Sequence, residues 1–248
     1  MWANFFTPES ALPPGAGFPL FGQGHLAALG IVLFLCLLLI LYLRRQTFSV
    51  QRRWLRWLSV CMLLLELGKD FILALIGAFS PGYLPLHLCS LSMFVCLYYA
   101  FHPGSRRAGQ ILYSVVLPGA LSALLFPNWN VFPLLHFQTF HSFIYHGLLL
   151  FFGLFPVVSG KASPEPDAIV PSMVFLCLLA LPVGLFDHFL HANYMFLRGP
   201  SKGSPLEFLT VIPGKYGYLT GLFLLALSVV TLMNFPFWFV DRWKARRG

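Results

Sequence analysis

Long apolar runs alternate with short polar breaks along almost the whole chain. Seven stretches, at about 24–43, 55–78, 83–101, 109–126, 138–158, 170–191 and 216–240, meet the length of roughly 20 residues that a helix needs to cross the hydrocarbon. On one side the breaks are compact and turn-forming: RRQTFSVQRR, HPGSRRAG and SGKASPEPDA. On the other side residues 127–137 (PNWNVFPLLHF) are aromatic enough to lie in the membrane interface. Residues 192–215 (ANYMFLRGPSKGSPLEFLTVIPGK) form the longest connection, suited equally to a lid or to a plain connector. Pro118-Gly119 and Pro182 with Gly184 are expected to bend the fourth and sixth helices. No repeat divides the chain. The pattern predicts an all-α polytopic membrane protein, a single domain of seven transmembrane helices over residues 1–248.

Composition agrees: 58% of residues are hydrophobic and 10% charged, which leaves almost no length for a soluble domain. A net charge of +8 would suit a nucleic-acid partner, but the basic residues gather at span ends, where they act as topology signals, so no nucleic-acid partner is expected. With the N-terminus outside, alternate breaks put Arg44, Arg45, Arg52, Arg53, Arg56, Arg106, Arg107, Lys161, Arg242, Lys244, Arg246 and Arg247 in the cytoplasm. Only Arg198, Lys202 and Lys215 remain outside. That imbalance favours N-terminus out and C-terminus in.

The first twenty residues have no basic leader, and the first apolar run ends on Arg44-Arg45 without a small-residue cleavage site, as in an uncleaved first helix. The short chain without a signal or tails fits a bacterial cytoplasmic (inner) membrane. The six Trp (2, 54, 57, 129, 238 and 243) fall near span ends or in the loops, as an anchoring belt would place them. The five cysteines (36, 61, 89, 96 and 177) lie inside predicted helices with no CxxC pair, so neither a disulfide framework nor a zinc knuckle is indicated.

Ionisable groups inside a span cost about 2.5–3.5 kcal/mol each on insertion scales, so they turn toward a bundle interior or a wet cavity. The second span carries Glu66, Lys69 and Asp70, spaced to share one helical face. They form either a self-neutralising packing lock or part of a site. Counting about 1.5 Å per residue from the outer end of each span puts Asp70 and His146 roughly 12 Å deep, Cys89 roughly 9 Å, and His87, His141 and Asp187 roughly 5–6 Å. Four helices thus bring polar groups to similar depth in the outer half.

A lone Cys in an apolar helix is usually a small hydrophobe, as for Cys36, Cys61, Cys96 and Cys177. Cys89, in Pro85-Leu-His-Leu-Cys-Ser90, is different because it lies level with imidazoles and carboxylates, and a neighbouring base makes a thiol nucleophilic. His87 is a poor base for it, since positions i and i+2 of a helix face apart. His146 in the fifth span matches Cys89 best in depth, with Gly147 beside it giving close helix approach or room for a substrate. His141 stands as the alternative base. His188 and His191 share a face at a metal-ligand spacing, which makes His141, His146, Asp187, His188 and His191 a conceivable zinc site. With no HExxH or HxxxH pattern, no metal or other cofactor is expected.

LELGKD (65–70), PLHLCS (85–90), the fifth-span histidines and Asn193-Tyr194-Met195-Phe196-Leu197 resemble, over nearly the whole chain, the YwaF-like integral membrane proteins of bacteria, a group related to transmembrane protein 164. The resemblance implies acyltransferase chemistry on glycerophospholipids through a cysteine assisted by a histidine. It maps the cysteine onto Cys89 and the histidine onto His146. The segment VIPGKYGY after NYMFL departs from the Trp-containing pattern expected there, which bears on acceptor specificity.

The expected function is therefore transfer of a fatty acyl chain between phospholipid and lysophospholipid through a Cys89 thioester, with His146 moving the proton. Glu66, Lys69 and Asp70 would orient the site, and His87 and Asn193 would donate to an oxyanion or head group, beside Tyr194. A hydrolase using the same pair, a proton-coupled transporter using the Glu, Asp and His cluster, and a scaffold are the alternatives. The charge bias yields a first prediction. A fluorescent protein fused after Gly248 will fluoresce in the cytoplasm, and a cysteine placed near the N-terminus will react with an impermeant maleimide added outside; the reverse pattern would reject N-out, C-in.

Overall fold

The computed structural model describes residues 4–201 and 203–245, with side chains through Phe235. Trp2, Lys202, Arg246 and Arg247, and the side chains of Trp238, Arg242, Trp243 and Lys244, lie outside the described residues. Among the described residues seven long helices follow one another: α1 Gln23–Leu43, α2 Phe48–Leu75, α3 Leu88–Phe101, α4 over residues 106–125, α5 Phe137–Val158, α6 Ile169–Leu190 and α7 Gly217–Ala245. No strand occurs among them. With the short turns that flank α3, α4 and α6 counted in, so that the third stretch runs Pro81–Phe101, all of these except α2 are long and apolar enough to cross a membrane. α2 has the length, 28 residues, but carries Arg52, Arg53 and Arg56 in its N-terminal half and Glu66, Lys69 and Asp70 in its C-terminal half.

α5 is the central helix. It packs against α1, α2, α3 and α4, and its buried residues Phe143, Tyr145, His146, Leu149, Leu150, Phe152 and Phe155 go almost all the way round it. A helix apolar all round belongs in an interior. α6 and α7 pair with each other and lean on α4, where Val115, Met173 and Val230 make a second, smaller core.

α4 is not uniform: Leu112–Val116 form a π-helical turn directly before Pro118. Proline removes an amide and crowds the preceding turn, and the wider turn absorbs this without ending the helix. The same turn carries buried Ser114, which exchanges hydrogen bonds with Asn234 of α7 at 2.9 and 3.3 Å. α6 runs on through Pro182 to Leu190.

Two expectations need correction. The apolar pattern starts the third span at residue 83, but residues 81–83 form a 3-10 turn and α3 begins at Leu88, with His87 as its extended N-cap. Pro85 accounts for this, because proline pushes the residue before it away from helical geometry. The loop 127–137 is not a belt of exposed anchors: Trp129, Phe132 and His136 are buried against the bundle. Trp54 and Trp57, by contrast, are exposed, as anchoring residues would be.

Close approach of α4 and α5 depends on Gly153, where a Cβ would lie 2.7 Å from Leu117 Cβ and 3.0 Å from its Cα. Gly153→Val is expected to destabilise the bundle by about 1–3 kcal/mol through overpacking, read as a lowered unfolding temperature in detergent; an unchanged midpoint would show that the two helices separate freely.

Candidate functional site

The three charges of α2 meet as their spacing predicts. Lys69 Nζ lies 3.0 Å from Glu66 Oε1 and 3.2 Å from Asp70 Oδ1, and it also donates to the Tyr83 carbonyl at 3.0 Å. The Asp70 pair is an ion contact without hydrogen-bond alignment. Glu66 is buried and accepts a second bond, from Ser90 Oγ at 2.9 Å. Its other oxygen is 3.6 Å from His141 Nε2. One carboxylate thus ties α2 to the first turn of α3 and stands beside His141 of α5. A buried charge is tolerated when paired and hydrogen-bonded in this way.

Cys89 is the second residue of α3. It therefore lies at a helix N-terminus, among the first amides, which have no partner within the helix. Both the main-chain N–H and the hydroxyl of Ser90 lie beside its sulfur, and the charges of Glu66 and Lys69 reach it. His87, being an N-cap rather than a helical residue, is not subject to the i, i+2 geometry assumed for it. Its ring packs edge-on against Tyr194 at 5.3 Å and is tilted on Phe196 at 6.0 Å.

His146 is buried and stacks on Trp129 with centroids 4.8 Å apart. Its Nδ1 is 2.8 Å from the Ser142 carbonyl. A carbonyl only accepts, so Nδ1 carries the proton and Nε2 is left with a free lone pair, the form a base requires. No hydrogen bond joins Cys89 to His146. Each lies within range of the Glu66 charge, and Tyr145, next to His146 in sequence, lies within range of Cys89. His141 stacks on Tyr145 at 5.5 Å.

The residues after α6 close the end of the bundle at which Cys89 lies. Tyr194 is fully buried; its N–H donates to Asp187 Oδ1 at 2.7 Å, and its hydroxyl donates to the Pro81 carbonyl. Burial and the Asp187 charge push the Tyr194 phenol above its ordinary range. Asn193 uses its side chain locally, donating to the Gly199 carbonyl and accepting from the Arg198 N–H, both at 2.9 Å. It shapes the strap rather than reaching the thiol. His191, Met195 and Phe196 all have left-handed backbone, with φ of 52°, 52° and 57°, a strain that persists only where surroundings enforce it.

His188 and His191 are exposed and turned away from this cluster, while Asp187 is buried. Among the described residues no group of three His, Cys, Asp or Glu side chains is placed to hold a metal ion, so the zinc grouping is not assembled.

Sequence reasoning missed three participants: Ser90, which bonds Glu66; Trp129, whose pattern suggests an anchor; and Tyr145, whose buried hydroxyl has no partner. An apolar groove of about 320 Å³ runs between α1 and α5, bordered by Val32, Phe143 and Gly147. Phe143 also packs edge-on against Trp129 at 5.7 Å, so the groove passes beside the His146 stack. At Gly147 a Cβ would stand 3.0 Å from Val32 Cγ1, so this glycine serves helix approach.

The TMEM164 family model matches residues 20–234, and the chain belongs to that family. No curated protein and no solved structure matches it. The ion cluster gives a prediction of its own. Lys69→Met leaves two carboxylates without a cation and is expected to cost about 3 kcal/mol or more, seen as loss of folded protein by fluorescence-detected size exclusion; normal yield and melting would mean that Lys69 does not neutralise them.

Proposed function

For a member of the TMEM164 family with this arrangement of side chains, we propose an integral-membrane acyltransferase that moves a fatty acyl chain from a glycerophospholipid to a lysophospholipid through a Cys89 thioester. The observation that carries the reading is the position of Cys89, in the first turn of α3 beside the Ser90 N–H and the Glu66–Lys69 pair, within the same polar cluster as an imidazole whose Nε2 is free. His146 takes the thiol proton, and the sulfur adds to the ester carbonyl. The tetrahedral adduct expels the lysolipid oxygen, which receives the proton from His146. An incoming lysophospholipid hydroxyl then gives its proton to His146 and displaces the thiolate.

The resting structure leaves thiol and imidazole unbonded. Catalytic hydrogen bonds in substrate-free sites are often long and tighten on binding, so closure of this gap is assigned to the bound lipid. The groove between α1 and α5 supplies an apolar channel for an acyl chain next to the His146 stack.

α2 serves as a seventh span in this reading. At about 1.5 Å per residue its 28 residues exceed the thickness of the hydrocarbon, and its charges are neutralised on the inward side. With the N-terminus out, the site opens in the outer half of the bilayer. Glu66, Lys69 and Asp70 hold the first turn of α3; His87 and the 193–197 strap close it from the loop side.

Incubation of the purified protein with a diacyl phospholipid is expected to give an acyl adduct by intact mass that hydroxylamine removes and that Cys89→Ala lacks. His146→Gln should slow its formation at least about 100-fold, the usual loss on removing a general base. The same adduct on Cys89→Ala would reject the mechanism.

A further inference from the structure

Addition of a thiolate to an ester places a negative charge on the former carbonyl oxygen, and donors aimed at that oxygen contribute much of the rate in acyl transfer. The polar cluster contains two sets of donors that nothing else uses. The first is the opening turn of α3. Its earliest bond runs from the Leu91 N–H to the His87 carbonyl at 3.0 Å, and the His87 side chain caps none of the amides. The N–H groups of Leu88, Cys89 and Ser90 are left over, as the first amides of any helix are, and that of Ser90 lies beside the Cys89 sulfur.

The second is the Tyr145 hydroxyl. Tyr145 is 2% exposed, and its oxygen is buried with no hydrogen-bond partner. It lies within electrostatic range of the Cys89 and Cys96 side chains and of Glu66. Its ring is fixed by stacking on His141 and by an edge-on contact with His146 at 6.0 Å. Leaving a hydroxyl buried and unbonded is costly, and a phenylalanine at the same place would avoid that cost.

We propose that Tyr145 and the free amides of the α3 N-terminus form the oxyanion hole for a carbonyl attacked by Cys89, with Tyr145 a catalytic residue. The inference rests on the acyl-transfer reading. The sulfur lone pair makes the C–S bond while the carbonyl π pair moves onto oxygen. That oxygen accepts hydrogen bonds from the Tyr145 O–H and the Ser90 N–H without taking a proton. The pair returns as the ester C–O bond breaks, and the leaving oxygen takes its proton from His146. Phenol and imidazole therefore have separate tasks, although they are adjacent in sequence.

The test compares two reactions of the same sulfur in the full-length protein, located on Cys89 by peptide mass mapping. Acylation by p-nitrophenyl decanoate passes through an oxyanion; alkylation by iodoacetamide, a displacement at saturated carbon, does not. Tyr145→Phe is expected to slow acylation about 100-fold, the effect of removing one oxyanion donor, with alkylation unchanged and the unfolding temperature equal to or above wild type. Acylation within threefold of wild type would overturn the proposal. So would a parallel fall in both reactions or a lowered unfolding temperature, since either would make Tyr145 a packing residue. If wild-type Cys89 is alkylated but never acylated, the acyl-transfer reading itself fails, and the oxyanion hole with it.

Discussion

Neutralising three charges inside an apolar bundle is the constraint on which the rest of the structure depends. Glu66, Lys69 and Asp70 cannot face lipid without large cost. Lys69 answers both carboxylates, and Glu66 spends its remaining acceptor capacity on Ser90, with His141 at 3.6 Å. Those contacts join α2 to α3 and set His141 of α5 beside them at the same level. They fix the first turn of α3, and therefore Cys89, relative to the helix that carries His141, Tyr145 and His146.

Around that lock the remaining elements close the space. The loop between α4 and α5 turns inward to stack Trp129 on His146. The strap after α6 is pinned by Tyr194 to Asp187 and to the Pro81 carbonyl, and by Tyr218 to the Phe196 carbonyl at 2.9 Å. It sets aromatic rings against His87. At the opposite end of the bundle, Arg106 and Arg107 pair with Glu165 and Asp167 at 2.6–3.2 Å. That end joins its loops by exposed ion pairs and gathers no reactive groups among the described residues.

Much of this was legible because, for a chain in lipid, burying apolar length outweighs every other preference. The helices begin and end within a few residues of the apolar runs, except where α2 extends back to Phe48 and where Pro85 delays α3. Spacing of three and four also gave the α2 cluster correctly. Spacing tells which residues share a face, not which way that face turns, so the His188 and His191 pair was legible while its outward direction was not. Counting depth from span ends assumes a common starting level. His141 near Glu66, one turn deeper than Asp70, shows that α5 sits lower against α2 than that assumption allows. Trp129 and Tyr145 were missed for a related reason: an aromatic ring has the same apolar signature at an interface, in a core or against a buried imidazole.

The central claim is that the polar cluster performs acyl transfer through Cys89 rather than merely holding helices together. The most direct measurement is a single-turnover chase, in which protein carrying a deuterated acyl chain is freed of donor lipid and mixed with a lysophospholipid. Acyl transfer requires the adduct to disappear at the rate at which deuterated diacyl phospholipid appears, mole for mole. An adduct that persists, or one that yields only deuterated free fatty acid, contradicts it.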